Sequence, residues 1–298
     1  MNTHLTPLLQ AIATQTGHPL QTATSLKPIS GGDIHQAYQI HTPKANYFLK
    51  LNQASALPLF EAEADSLNAI AQSQTIACPQ PLGHGVHDQT AWLLLPYLQL
   101  TSKGNDCLRG QALAHLHHSL NPLVKTDPNK VFGWPQNNFI GHTPQYNHWH
   151  SDWVSFYAQQ RLQPQLNWAK QKAAPAQLIQ LGQQLIEQLP KFFTHYNPQP
   201  SLLHGDLWAG NSAFLSHGEP ILYDPACYYG DRETDLAMTE LFGGFSDAFY
   251  DGYQQVFPLD KDYPQRRPLY QLYHLLNHFN LFGGHYAQQA IHLLKILL

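Results

Sequence analysis

The sequence has few charged residues, few cysteines and no long apolar run. Its 298 residues include 16 basic and 20 acidic side chains, so it lacks the cationic surplus of a nucleic-acid-binding protein. The three cysteines are far apart and give no disulfide framework, which is typical of a reducing compartment. No stretch approaches the roughly 18 apolar residues of a membrane span, and no signal-peptide pattern is visible. We therefore expect a cytoplasmic protein with no nucleic-acid or membrane partner.

The hydrophobic pattern changes character near residue 96. Before it, short apolar stretches resemble strands, and Pro58 opens one helix whose apolar positions share a face. After it, apolar residues recur mostly at helical spacing. The pattern predicts an α+β protein with two lobes: a small β-rich lobe at 1–96 and a larger, mainly helical lobe at 97–298. Helices are predicted at 106–120, 152–163, 176–189, 232–242 and from Pro268 to the end.

One polar segment, His204-Gly-Asp-Leu-Trp-Ala-Gly-Asn211, lies between two apolar strands. It holds a carboxylate and, five residues later, an amide; the next apolar strand ends in Asp224. Such oxygen ligands suit Mg²⁺, and phosphoryl transfer needs a carboxylate base beside metal-holding Asn and Asp residues. We therefore predict Asp206 as the catalytic base, with Asn211 and Asp224 as the metal ligands.

Phosphoryl transfer also needs a cation that binds the phosphates of ATP. Lys50 lies on the apolar strand 47–51, where a kinase-type lysine is expected. A carboxylate on the following helix should orient it, and Glu61 and Glu63 both qualify.

The same motifs carry a resemblance to known enzymes. His-Gly-Asp-Leu-x-x-x-Asn followed by Asp-Pro resembles the aminoglycoside and choline kinase type of phosphotransferase, which are relatives of protein kinases. Trp208 and the segments 139–145, 224–238 and 270–283 are more similar to the fructosamine kinase, or ketosamine-3-kinase, family, and the resemblance runs from about residue 29 to residue 286. It implies a two-lobed protein-kinase-like fold that uses ATP and Mg²⁺.

The implied reaction transfers a phosphoryl group to the 3-hydroxyl of a ketosamine, either a small molecule or a glycated protein. Phosphorylation at that position destabilises the adduct, so the implied role is deglycation. The resemblance favours ribulosamines and erythrulosamines over fructosamines as acceptors. The physiological acceptor and the oligomeric state stay open.

The resemblance also assigns residues on the nucleotide side. It implies that Gly31 and Gly32 form the turn that covers the phosphates, and it favours Glu63 as the partner of Lys50. It places Pro96 and Leu98 at the hinge that contacts adenine. Many family members have Glu where this chain has Pro96, but only the carbonyl of that residue is needed there.

On the substrate side, Trp208 lies inside the segment 204–211 and is predicted to stack on the sugar or its adduct, with packing beneath the loop as the alternative. Glu233 lies at the start of a predicted helix and is a candidate to meet a substrate amine. Asp235 resembles the aspartate that braces the catalytic loop of kinases. The long segment 121–150, rich in Asn, Pro, Trp and His, indicates a functional loop, and its Asn137, Asn138 and Gln145 are candidates for the lining of the cleft.

Two other functions remain open at this point. One is a kinase of another hydroxylated amine, such as choline or an aminoglycoside; the low acidic content disfavours polycationic substrates. The other is a nucleotide-binding pseudokinase, which would lack one of four residues that are all present: Lys50, Asp206, Asn211 and Asp224.

The histidines His115, His117 and His118 are interpreted as the edge of a packed helix and not as a metal site.

Overall fold

The N-terminal part of the computed structural model, which describes residues 5–29 and 35–298, is a five-stranded antiparallel sheet of spatial order β1-β2-β3-β5-β4. Its strands are β1 (Ser25–Ile29), β2 (Gln36–His41), β3 (Asn46–Gln53), β4 (Gly83–His87) and β5 (Thr90–Pro96). The predicted phosphate-covering turn, with Gly31 and Gly32, lies outside the described residues.

Two helices cover opposite faces of this sheet: α1 (Thr6–Thr16) and α2 (Leu57–Ser73). Successive side chains of a strand point to opposite faces. Leu49 therefore packs in the core beneath α1, while Phe48 packs beneath α2. Lys50, two residues after Phe48, points to the same face of the sheet and can therefore contact a carboxylate of α2.

The rest of the chain is mainly helical and confirms the predicted α+β class. The helices are α3 (Asp106–His117), α4 (Trp153–Phe156), α5 (Gln163–Gln171), α6 (Ala176–Gln188), α7 (Glu233–Leu241), α8 (Asp247–Val256), α9 (Tyr263–Phe282) and α10 (Tyr286–Leu297). A π-helical turn, Tyr157–Leu162, joins α4 to α5. The helix α9 packs against α7 and α10, and α3 packs against α8. None of the helices within 5–29 and 35–298 combines the length and the apolar character needed to cross a membrane.

One helix prediction needs correction, and one helix was missed. The stretch predicted from Pro268 to the end is two helices, α9 and α10, separated at Gly283. The helix predicted to begin at Pro268 begins at Tyr263, so Pro268 lies inside it. Proline is common in the first turn of a helix, and here Pro264 occupies that position. The start of the helix was therefore assigned to the wrong proline. The helix α8 was not predicted from the sequence at all. The domain boundary at residue 96 stays a prediction; it coincides with the end of β5.

Short strands frame the loop that contains Asp206. They are β6 (Leu100–Thr101), β7 (Asn138–Ile140), β8 (Thr143–Gln145), β9 (Ser201–Leu203), β10 (Ser212–Leu215), β11 (Pro220–Leu222) and β12 (Tyr228–Gly230). Strand β9 pairs with β12, and β10 pairs with both β11 and β6, all antiparallel. The loop at 204–211 thus leaves one strand pair and enters the other, next to Asp224.

Candidate active site

The loop at 204–211, called the catalytic loop below, is tied at both ends to the segment that follows β11. The backbone N–H of Tyr223 donates to the carbonyl oxygen of Asn211 at 3.1 Å. The backbone N–H of Ala226 donates to the carbonyl oxygen of His204 at 2.8 Å. These two hydrogen bonds fix the carboxylates of both segments relative to each other.

The close approach of the two segments explains a glycine and a strained residue. Gly205 has φ 83° and a side-chain carbon there would lie 2.1 Å from the carbonyl oxygen of Ala226, so only glycine fits. Asp224 has φ 55°, in the left-handed region that non-glycine residues seldom adopt. Such strain persists where the surrounding structure fixes the backbone, as in many active sites.

A buried carboxylate braces the catalytic loop from below, as predicted for Asp235. It accepts hydrogen bonds from the backbone N–H groups of His204 at 2.7 Å and Gly205 at 2.9 Å. His117 lies 3.1 Å from the same carboxylate and 2.8 Å from the hydroxyl of Tyr253. His117 is completely buried, which corrects its placement at a helix edge. Its role is to support the aspartate that supports the loop.

Asp206 and Asn211 lie close together within the catalytic loop. The amide nitrogen of Asn211 donates to the carbonyl oxygen of Asp206 at 2.9 Å and lies 3.4 Å from its carboxylate. Because the nitrogen is engaged inward, the amide oxygen is the atom that remains for a cation. This orientation suits the metal-ligand role predicted for Asn211.

Lys50 joins the sheet to the catalytic segments. Its ammonium nitrogen lies 2.7 Å and 2.9 Å from the two carboxylate oxygens of Glu63 and 2.6 Å from a carboxylate oxygen of Asp224. Glu63 faces inward beside buried Ala64, whereas Glu61 is exposed to solvent. The structure thus brings together Lys50, Glu63 and Asp224 in the combination expected from the sequence.

A cleft of about 1360 Å³ runs between the sheet and the helical part, and most of the predicted site residues line it. On the side of the catalytic loop, the lining includes Asp206, Trp208 and Asn211. On the side of the predicted hinge, it includes Pro96 and Leu98. The indole of Trp208 is half-exposed and lies against Gly210, where a side-chain carbon would come within 2.2 Å of the ring. It is therefore available to a molecule in the cleft.

Glu233 does not reach the cleft. Its carboxylate is completely buried in the helical part and accepts two hydrogen bonds of 2.8 Å from Arg266. Arg266 also contacts Asp260 at 2.8 Å. A carboxylate closed off in this way cannot meet a substrate amine, so the structure speaks against the substrate contact predicted for Glu233.

Sequence comparisons with known proteins identify the family of this chain. The sequence profile of the family described as fructosamine kinase matches residues 5–298. The chain belongs to the fructosamine kinase family. Its relatives include a probable ketoamine kinase of Synechocystis, 44% identical over 294 residues that cover 97% of this chain and 95% of the relative. The chloroplastic protein-ribulosamine 3-kinase of Arabidopsis thaliana is 38% identical over 270 residues, 90% of this chain and 81% of that protein.

Solved structures give the same result. A Haemophilus somnus protein described as a candidate fructosamine-3-kinase superposes with a TM-score of 0.85 at 29% identity, covering 98% of this chain and 96% of the other. A choline kinase of Streptococcus pneumoniae has a TM-score of 0.64 at 13% identity, covering 97% of this chain and 99% of the other, which shows the fold alone. The predicted protein-kinase-like fold is confirmed, and the chain is an ATP-using phosphotransferase of the fructosamine kinase family.

The environment of Asp206 makes its carboxyl group an unusually weak acid. Burial raises the pKa of Asp206 to about 7, with further contributions from the negative charges of Asp224 and Asp235, against a small opposing effect of Asn211. A base with a pKa near the working pH combines a large ionised fraction with a strong affinity for the proton.

The two carboxyl groups that contact Lys50 have pKa values shifted in opposite directions. Burial disfavours the ionised form of Asp224, but the neighbouring Lys50 outweighs it and lowers the pKa of Asp224. Burial raises the pKa of Glu63 to about 7, although Lys50 opposes this. Burial also lowers the pKa of His35 in the same cleft to about 4, helped by the charge of Lys50, so that histidine is neutral at pH 7.

A set of buried amides in the long loop was not recognised as a network from the sequence. Asn138 donates to the carbonyl of Cys227 at 2.8 Å, and Gln145 donates to Asn138 at 2.9 Å and to the carbonyl of Ala226 at 3.1 Å. These contacts fix the β7–β8 hairpin, which lines the cleft, to the segment after Asp224. The sequence signal was a long, Asn-rich loop whose Asn137, Asn138 and Gln145 were candidates for the lining of the cleft.

Proposed function

We propose that this protein transfers the γ-phosphoryl group of ATP to the 3-hydroxyl of ketosamines, with Asp206 as the base. One arrangement carries the proposal: Lys50, held by Glu63 and Asp224, shares a cleft with the pair Asp206 and Asn211. A phosphate-binding cation, a base and two oxygen ligands are the groups that phosphoryl transfer requires.

In the proposed reaction the sugar O3 forms a bond to the γ-phosphorus as the bond from that phosphorus to the bridging oxygen breaks. Asp206 accepts the proton of the hydroxyl, and ADP leaves. Lys50 binds phosphate oxygens, and Glu63 keeps the ammonium group in place through two short contacts. Burial of Asp206 serves this step because it raises the affinity of the carboxylate for the proton.

The donor set fits a magnesium ion. The free amide oxygen of Asn211 and the carboxylate of Asp224 are both oxygen ligands, and the lowered pKa of Asp224 keeps it ionised. The side chain of Asp224 is 50% exposed in the cleft, so its second oxygen is accessible. When bound, Mg²⁺ would neutralise phosphate charge; the residues proposed to hold it are Asn211 and Asp224.

The remaining assignments are proposed on the family resemblance and on position. Pro96 and Leu98 line the cleft at the end of β5, a position that suits contact with the adenine base. The backbone of Gly31 and Gly32 is proposed to cover the phosphates. Trp208 is proposed to stack on the sugar.

Ribulosamines are the proposed acceptors, with erythrulosamines next. The support is the Arabidopsis relative named protein-ribulosamine 3-kinase, together with relatives named ketoamine kinase. Phosphorylation of the 3-hydroxyl would destabilise the adduct, so the proposed role is deglycation of small amines or of proteins. The aminoglycoside and choline kinases share only the fold and do not argue for their own substrates here.

A substrate panel tests the proposal. Ribulosamine, erythrulosamine, fructosamine, choline and an aminoglycoside are assayed for ATP consumption with and without Mg²⁺. We expect turnover of ribulosamine, dependence on Mg²⁺, and phosphorylation at O3 by NMR of the product. Turnover of choline or the aminoglycoside without any ketosamine would refute the proposed acceptor class.

The substitution Asp206→Asn tests the base. It should lower kcat by at least about 10²-fold, which is the usual contribution of a positioned base, while ATP still binds. ATP affinity is measured by calorimetry and kcat by coupled assay, with exposed Asp88→Asn as the control. Unchanged kcat in Asp206→Asn would remove Asp206 from the proposed role.

A further inference from the structure

The sequence Leu-Phe-Gly-Gly occurs twice, at 241–244 and at 281–284. The first copy follows α7 and the second ends α9. In each copy both glycines have positive φ values between 66° and 96°, so each helix ends in a turn that favours glycine. The phenylalanine before each glycine pair is exposed: Phe242 at 43% and Phe282 at 63%. Both phenylalanines line the cleft that contains Asp206.

The two phenylalanine rings are parts of one aromatic group. The ring of His278 lies between them, with its centroid 4.9 Å from that of Phe242 and 5.8 Å from that of Phe282. Tyr286 completes the group at 5.1 Å from His278. We call this group the aromatic rim. The two glycine turns bring it together from two helices that are far apart in sequence.

The aromatic rim lies beside the catalytic loop. A side-chain carbon added at Gly244 would lie 2.4 Å from the Cβ of Ala209, so the turn after Phe242 is in direct contact with that loop. Trp208, the neighbour of Ala209, is exposed in the same cleft. The rim is therefore at the acceptor end, whereas Pro96 and Leu98 line the hinge end.

The charged residues of the cleft lie around the proposed site of phosphoryl transfer. Histidines aside, the charged residues among the described lining are Lys50, Glu63, Asp206 and Asp224. The rim itself presents rings and no carboxylate. A ligand group with an additional positive charge would find no counter-charge there, whereas an apolar or aromatic group could pack against the rings.

We propose that the aromatic rim binds the amine-derived part of the ketosamine and selects apolar or aromatic amines over amines with a second positive charge. This inference rests on the proposed ketosamine kinase function and adds the class of amine to it. Phe242 and Phe282 are the specificity-determining residues, because both are exposed in the cleft and neither is needed to fill the core. Large exposed aromatic side chains at the mouth of a cleft are costly in water unless a ligand covers them.

The test uses three ribulosamines that differ only in the amine: phenethylamine, ethanolamine and 1,3-diaminopropane. The wild-type enzyme should have its lowest KM for the phenethylamine adduct and its highest for the diamine adduct. Phe282→Ala and Phe242→Ala should each raise KM for the phenethylamine adduct roughly five- to tenfold, the effect of losing one aromatic contact. KM for the ethanolamine adduct should change less than about twofold, with KM for ATP and kcat unchanged.

Two controls separate ring contact from a general effect. Phe282→Tyr keeps the ring and should keep the wild-type preference. Ile296→Ala removes a side chain of similar exposure, 58%, from α10 outside the cleft lining and should change nothing. Equal KM changes for all three adducts, or none in either alanine variant, would overturn the inference while the proposed function stands. Failure of the wild-type enzyme to phosphorylate any of the three adducts would overturn both.

Discussion

Two regions of the molecule contain the same ionic arrangement, a cation between two carboxylates. In the cleft, Lys50 lies between Glu63 and Asp224. In the helical part, Arg266 lies between Glu233 and Asp260. The contact distances are similar, from 2.6 to 2.8 Å. The surroundings differ in degree. The side chains of Lys50, Glu63 and Asp224 are 10%, 11% and 50% exposed, and those of Arg266, Glu233 and Asp260 are 3%, 0% and 30% exposed.

The comparison shows that accessibility, and not residue type, separates a candidate catalytic pair from a structural one. Burial raises the pKa of Glu233 to about 8 and, as in Glu63, the cation opposes this effect. Both carboxylates follow the same electrostatics. The difference is that Lys50 lines the cleft together with Asp206 and Asn211, whereas Arg266 lies outside that cleft, beside a separate pocket of about 400 Å³.

The largest effect is expected for Arg266→Met, which should destabilise the fold by about 3–5 kcal/mol because it leaves the carboxylate of Glu233 buried without its partner. The measurement is urea unfolding at pH 7.5, with kcat determined on the folded fraction. The neighbouring Arg267 forms a partly exposed pair with Glu240, so Arg267→Met should cost at most about 1 kcal/mol. Equal stability of the two variants would contradict the structural role of the buried pair.

The second-largest effect is expected on activity and not on stability. Lys50→Met should lower kcat/KM by about 10²- to 10³-fold, the usual loss for a positioned donor to developing charge. Its loss of stability should be smaller than that of Arg266→Met, because the half-exposed Asp224 keeps its contact with solvent. Exposed Lys44, on the turn before the same strand, gives the matched control Lys44→Met. If Lys50→Met kept its activity and instead unfolded like Arg266→Met, the distinction between the two ion pairs would fail.

The smallest effect concerns pH. Because the pKa of Asp206 is raised to about 7, its carboxyl group becomes protonated as the pH falls through that value. A protonated carboxyl cannot accept the hydroxyl proton, so kcat/KM for ATP should fall about tenfold per pH unit below pH 7. His35, with its pKa lowered to about 4, does not titrate in this range. Glu63, with its pKa also raised to about 7, does titrate there, so the profile is measured for Glu63→Gln as well and should keep the fall that Asp206 causes. A flat profile from pH 8 to pH 5.5, with thermal unfolding showing an intact fold, would contradict the assignment.

Much of the local structure could be predicted from the sequence. Alternation along β3 places Lys50 on the same face as Phe48, towards α2, and the family resemblance favoured Glu63 over Glu61 as its partner, which is the contact found. The bracing contact of Asp235 was predicted from the kinase resemblance and is present. These predictions succeeded because each depended on local geometry or on a long specific motif.

The predictions that failed depended on packing between distant segments. Glu233 looked like a substrate ligand because it follows the catalytic segments, but Arg266, 33 residues later, encloses it. His117 looked like an edge residue because its neighbours on α3 do not reveal that α7 and α8 cover it with Asp235 and Tyr253. No periodicity within a single helix contains that information.

The sequence by itself predicted the chemistry: the spacing of Asp206, Asn211 and Asp224, together with Lys50 on a strand, indicates phosphoryl transfer. It also contained the repeated Leu-Phe-Gly-Gly, whose glycines end two helices. Only the tertiary structure decided that the rings of both repeats meet at one end of the cleft and that one of two similar ion pairs is accessible. The physical reason is that contacts between distant segments depend on how helices pack, and that packing is a property of the whole chain.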